Sequence, residues 1–286
     1  MKSKRANKIV AGTGNLVDPV LRSPTATVHL TYDPNSPPPH PGPTHTRFVC
    51  ISDTHSHVYP VPHGDVLLHS GDLCMRGQLK HLQTTVDWLK GLPHPAKILI
   101  AGNHDLCLDN DWREGGTLAR VLGNGIRAQD VDAAQTLMRS EELRETGIRY
   151  LEYEPIQITT ASGRTWNIYG SPATPRYSIG SFQYEYGQGA EVCSRIPPET
   201  EVLLTHTPPH GTLNATRRGK AAGCKELAAR LESRELGRCR LHVFGHIHES
   251  HGAVIRRGNG DETVDRVSVN AALAYGGQAV IVDLEN

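Results

Sequence analysis

Apolar residues in this chain gather in short continuous runs, and polar residues able to bind a metal or a proton close several of them. RFVCISDTH (47–55), DVLLHSGDL (65–73) and KILIAGNHD (97–105) form the first series, and EVLLTHTPP (201–209) and LHVFGHIH (241–248) continue it. Short apolar runs bounded by Gly, Ser, Asp and Pro predict strands buried on both faces. Between them the period changes. Leu79, Leu82, Val86 and Leu89 recur at helical spacing until Gly91 and Pro93. Leu227, Ala228 and Leu231 do the same before Gly237, and a third helix is expected within 130–146. TWNIYGSP (165–172), DRVSVNAAL (265–273) and QAVIVDL (278–284) alternate more clearly, which suits a second, mixed sheet packed on the first. Alternating strands and helices give an α/β layered class.

Residues 1–45 lack periodic apolar positions and carry DPNSPPPHPGPTH, so they read as an extended proline-rich arm or linker. The folded domain then occupies 46–286. No apolar h-region stands near Met1, and no run approaches the ~20 residues of a membrane span. The expectation is a cytoplasmic protein that does not engage a membrane. Thirty basic and thirty acidic side chains cancel, so no broad basic field attracts nucleic acid. Any bound anion needs a local positive charge, which a metal could supply. Cys50, Cys74, Cys107, Cys193, Cys224 and Cys239 form no Cys-x-x-Cys pair, which argues against a zinc knuckle and favours reduced thiols.

The polar ends of the runs supply the candidate chemistry. They are Asp53 and His55, Asp72, Asn103 with His104 and Asp105, His206, and the pair His246 and His248. Ligands gather at the carboxyl ends of strands in such sheets. One His-x-His is a weak signal, although an extended backbone past Gly245 would turn both rings to one side. Five strand ends delivering ligand types together are a strong one. Imidazole with carboxylate suits manganese, iron, zinc or cobalt better than calcium. Asp53, His55, Asp72, Asn103, His206, His246 and His248 exceed one tetrahedral site and suit two divalent ions sharing a carboxylate.

Asp53-x-His55, Gly71-Asp72, Gly102-Asn103-His104-Asp105, His206 and Gly245-His246-x-His248 resemble, in order and type, the calcineurin-like metallophosphoesterases. The wording TRFVCISDTHS, AGNHD, IYGSP and LHVFGHIHE is most similar to the metallophosphoesterase-domain (MPPED) group. The resemblance implies a four-layer α/β/β/α sandwich of two mixed sheets. It implies that Asp53, His55 and His248 hold one metal, that Asp72 bridges, and that Asn103, His206 and His246 hold the second. It implies in-line attack on phosphorus by a hydroxide between the ions, with His104 at the phosphate and leaving oxygen. Asp105 would orient His104 or a ligand. The substrate class it implies is a small phosphate ester, cyclic nucleotides or related nucleotide diesters first.

Other readings stay open at this level. A phosphomonoesterase or protein phosphatase uses the same donor set. A slow, nucleotide-binding regulatory protein would keep the metals, and a structural metal protein would close the site. Arg176, Tyr177, Phe182, Tyr184 and Tyr186 lie in one long loop and either stack a nucleobase or pack the loop. Arg176 and His210 are further candidates for substrate contact. His69 is expected under the site, and Asn270 could accept a bond near it.

Overall fold

A computed structural model describes residues 8–12, 19–113, 126–260 and 263–286. Its first strands are β1 (Lys8–Gly12), β2 (Val20–Ser23), β3 (Ala26–His29), β4 (His45–Ile51), β5 (Val66–Ser70), β6 (Ala96–Ile100), β7 (Ile148–Tyr150) and β8 (Glu154–Thr159). They are followed by β9 (Thr165–Ser171), β10 (Thr174–Pro175), β11 (Gln183–Tyr184), β12 (Val202–Thr205), β13 (Leu241–Phe244), β14 (Gly252–Arg256), β15 (Arg266–Asn270) and β16 (Val280–Glu285). One seven-stranded sheet runs β2-β3-β16-β4-β5-β6-β7, and the other runs β1-β14-β15-β13-β12-β9-β8. Both are mixed. β4 to β7 are mutually parallel, as are β9, β12, β13 and β15, while β16 runs against β4, β14 against β15 and β8 against β9.

Successive side chains of a strand face opposite ways, and here both ways are dry. Phe48, Cys50, Val66, Leu68, Ile98 and Ile100 point between the sheets, where Trp166, Val202, Leu204 and Val243 of the other sheet meet them. The intervening Val49, Ile51, Leu67 and Leu99 point outward, under Leu82, Val86 and Leu89 of helix Leu79–Lys90 and Ala134 and Met138 of helix Ala128–Arg139. Leu203 and Tyr169 point out of the other sheet onto Leu227 and Leu231 of helix Lys225–Glu232. Each fully buried aliphatic side chain contributes about 1.5–3 kcal/mol. The layers are therefore α/β/β/α, the architecture the motifs implied.

Three local expectations change. β12 and β13 belong with β9 and β15, while β16 joins β4, so the strands divide between the sheets differently from the sequence reading. The helix expected within 130–146 is two helices, because the Ser140 hydroxyl accepts from the Leu143 amide and caps a second one, Glu141–Glu145. Of the segment read as an arm, residues 20–29 form a hairpin whose second strand pairs with β16. Leu21, Ala26 and Val28 are its buried anchors. The proline-rich part is held too, since Arg47 donates to the carbonyls of Pro38 and Pro39. Residues 1–7 and 13–18 of that segment lie outside the described residues. Among the described residues, no helix is long and apolar enough to cross a membrane. All six cysteines are free and buried.

Candidate metal centre

Parallel strands end on the same edge of a sheet. β4, β5 and β6 therefore deliver Asp53, Asp72 and Asn103 side by side, and β12 and β13 deliver His206 and His246 from the facing sheet. The chain turns sharply as it leaves these strands. Asp53, His55, Asp72 and His246 all have positive φ, between 47° and 66°. Non-glycine residues rarely stay there unless their surroundings force it, and such strain concentrates at functional sites. At His246 the turn corrects the expectation of an extended backbone. Strand alternation does not aim the two rings. The His246 ring lies 5.0 Å from the His206 ring, while His248 Nε2 lies 2.9 Å from Asp53 Oδ1.

Asp53, His55, Asp72 and His248 each place a ligand atom within 4.8 Å of all the others. Asp72 links this group to the facing residues. Its Oδ2 is 3.8 Å from His55 Nε2, and its Oδ1 is 3.4 Å from His206 Nε2. His206 Nε2 is in turn 2.9 Å from Asn103 Oδ1. The far nitrogens fix the tautomers. His55 Nδ1 donates to the Cys74 carbonyl at 3.2 Å and His206 Nδ1 to the Ser70 carbonyl at 2.9 Å. A carbonyl only accepts, so in the neutral rings both Nε2 atoms turn a lone pair inward. Ring nitrogens anchored this way are the usual support of metal-binding histidines. His55 Nε2 and His248 Nε2 then stand 3.3 Å apart. Inward lone pairs, two carboxylates and an amide oxygen make a donor set that fits divalent cations.

The charges show the same pull on a cation. Burial would raise the Asp53 carboxyl, but the His248 hydrogen bond and the charge at His206 outweigh it and hold it at about 2. Asp72 is likewise buried, yet His206 holds it well below the ordinary carboxylate range. Burial opposes charge on His206, and Asp72 overrides that and pushes the ring up to about 9. His248 is raised against burial by its bond to Asp53. His246, buried and repelled by His206, is pushed down to about 3.

Close approach at two glycines makes room for this crowding. A Cβ at Gly245 would collide with the Asp53 carboxylate, and one at Gly102 would meet Asp72 and the His206 ring. Asp105 organises the loops. It is buried and accepts from the amides of Leu73, Cys74 and Gly102, so its carboxylate ties the Asp72 loop to the Asn103 loop. Both of its oxygens serve backbone amides, which makes it a positioning group for the loops and not a catalytic residue beside His104. Burial, with Asp72 nearby, pushes it up to about 6. Asn270 donates to the Ile247 carbonyl and so braces the turn between His246 and His248. His69 is buried behind the edge against the Thr54 hydroxyl.

The remaining candidates separate. His104 is exposed, its ring 4.7 Å from the His55 ring, with Nδ1 on the Met75 carbonyl at 3.0 Å. Arg176 pairs with Glu185 at 2.6 Å, and His210 is an exposed loop residue whose amide bonds to the Cys224 carbonyl. Neither is brought into the donor group. In the aromatic loop only Tyr177 reaches the site: its hydroxyl accepts from Asn103 Nδ2, and its ring lies 5.0 Å from that of His246. Phe182 is buried, and Tyr184 turns its hydroxyl to Cys224. The sequence reading missed Tyr275, whose ring lies 5.1 Å from that of His248. The only signal was a tyrosine before two glycines.

The same residues lie inside a stretch shared with known proteins. A family model described as calcineurin-like phosphoesterase matches residues 46–250. Metallophosphoesterase domain-containing protein 1 of Homo sapiens is 34% identical over 234 residues, and the match covers 77% of this chain and 65% of that protein. The chain thus spans just under two thirds of that relative's length. A UPF0046 protein of Caenorhabditis elegans, K07C11.7, is 33% identical over 224 residues, covering 78% of this chain and 70% of the relative. The matched stretch contains every strand end that feeds the donor set, and the chain belongs to the calcineurin-like phosphoesterase family.

Proposed function

We propose that this chain is a metal-dependent phosphodiesterase acting on small nucleotide diesters, cyclic nucleotides among them. One observation carries the reading: the two oxygens of Asp72 face different histidines, His55 on one side and His206 on the other. A carboxylate so placed suits two cations. Asp53, His55 and His248 would hold one, Asn103, His206 and His246 the other, with Asp72 between them. When bound, such a pair supplies a nucleophile at neutral pH and neutralises phosphate charge.

The chain's own residues do the rest. The Nδ1–H of His104 is fixed on the Met75 carbonyl, so Nε2 is the atom left to meet a phosphate or to give a proton to the leaving oxygen. The exposure of His104 at the rim suits that role. Tyr177, through its hydroxyl, keeps the Asn103 amide turned so that Oδ1 faces the donor set. Asp105 holds the two ligand loops in register. The nucleotide class rests on the resemblance of the motifs to the MPPED group.

Hydrolysis of an aryl phosphodiester and an aryl phosphomonoester, compared with added manganese, tests the proposal. The diester is expected to react faster. Equal or faster monoester cleavage replaces the diesterase reading with a phosphatase. If protein carrying two cations cleaves neither, the enzyme reading is wrong.

A further inference from the structure

The donor set accounts for a phosphate but not for what the phosphate is attached to. The turn that follows β15 offers a group for that. Tyr275 is 71% exposed, so burial does not explain it, yet its ring stands 5.1 Å from the His248 ring at 69° to it. Its backbone has φ +64°. A bulky side chain in that region is unusual, and glycine, present at the next two positions, would take it without strain. The turn is not loose. The Leu273 amide donates to the Ser52 carbonyl at 2.9 Å, one residue before Asp53, and the Gly277 amide donates to the Leu273 carbonyl at 3.1 Å. The turn that carries the ring is thereby tied to the segment that delivers a carboxylate of the site.

A second element reaches it from the loop after β12. Ala215 and Ala221 pair across a tight turn, and Ser250 donates to the Ala215 carbonyl at 2.8 Å. This places the Arg217 guanidinium 4.7 Å from the centre of the Tyr275 ring and 3.9 Å from Glu249. Arg217 backs the ring, which stays largely open to solvent. Tyr177, on the opposite flank, differs because its hydroxyl is engaged by Asn103.

We infer that Tyr275, backed by Arg217, is the platform on which the planar aromatic group of the phosphoester rests. A phosphate among the donors leaves its ester substituents at the rim, and beside His248 the rim is Tyr275. Stacking reads a flat face and not an edge pattern, so the site discriminates aromatic from alkyl esters but not one base from another. The inference deepens the phosphoesterase reading and rests on it for the identity of the bound phosphate.

Calorimetric titration of the manganese-loaded chain with adenosine 5′-monophosphate, phenyl phosphate and methyl phosphate tests it by binding, without turnover. Both aromatic ligands are expected to bind about tenfold or more tightly than methyl phosphate, the scale of one stacked base. Tyr275→Gly should bring the ratio near one, and Tyr275→Phe should keep it. The thermal midpoint of metal-free Tyr275→Gly should not fall, because glycine relieves the positive φ. An unchanged ratio in Tyr275→Gly overturns the inference. A lowered midpoint does so too, since it makes Tyr275 a brace for the turn. A wild-type chain that shows the binding ratio but cleaves no ester would sink the phosphodiesterase reading alone.

Discussion

At the start of β4, Arg47 meets Asp283 through hydrogen bonds of 2.7 and 2.8 Å, both side chains buried. Just past the end of the same strand Asp53, with Asp72 from the end of β5, is equally buried among His55, His206 and His248. The first cluster is closed. The two bonds are bidentate, two further guanidinium hydrogens go to Pro38 and Pro39, and His29 lies 3.6 Å from the carboxylate. The second is open. Its imidazole nitrogens crowd one another and the carboxylates, and four of its residues hold strained backbone. A closed cluster fixes structure, here the proline-rich segment and the last strand. An open one keeps donors free to take up a cation.

That contrast breaks most sharply at Asp72. Asp72→Asn keeps the shape and the acceptor for the His104 amide but removes the bridging charge. Phosphoesterase activity should fall at least about 100-fold, beyond what loss of a residue merely supporting a metal ligand causes. The thermal midpoint should fall less than in the next variant. Asp283→Ala should do the reverse: it strands the Arg47 charge and costs about 3–5 kcal/mol in denaturant unfolding, while the folded fraction retains kcat. If Asp283→Ala lost activity and kept stability, the two clusters would have been assigned the wrong way round.

Buried rings without a charged partner give a smaller third case. His94 donates to the Pro62 carbonyl, and burial pushes it down to about 4; His242, under the other sheet, is lowered by burial too. In the unfolded chain each takes up a proton near the ordinary value of 6.5. Between that value and the folded one the unfolded state binds more protons, so stability rises with pH and is lost as pH falls. From pH 7 to pH 5, His94 should account for on the order of 1 kcal/mol. Urea unfolding of wild type and His94→Gln at both values checks this, and the variant should show the smaller drop. Equal drops would mean that His94 titrates normally in the fold.

The core was legible because strands buried on both faces leave unbroken apolar runs, as at Phe48–Ile51 and Leu203–Leu204. The candidate ligand residues were legible because each follows such a run. The division of strands between sheets was not, since nothing in LHVF or VIVDL records which neighbour it pairs with. The hairpin at 20–29 rests on strands of four residues with few apolar side chains, too little for periodicity to register. The geometry of His246 and His248 was not legible, because the left-handed turn at His246 is held by the Asp53 carboxylate, far away in sequence. Tyr275 lay hidden for the same reason: contacts with Ser52, distant in sequence, bring its turn to the site.

The most direct test of the open cluster is its capacity for metal. Chain stripped with a chelator, reloaded with manganese and passed through a desalting column should retain two ions by elemental analysis. Asp72→Asn, treated in parallel, should retain fewer. A wild-type chain that kept none or only one, or an Asp72→Asn chain that still held two, would contradict a paired site bridged by Asp72.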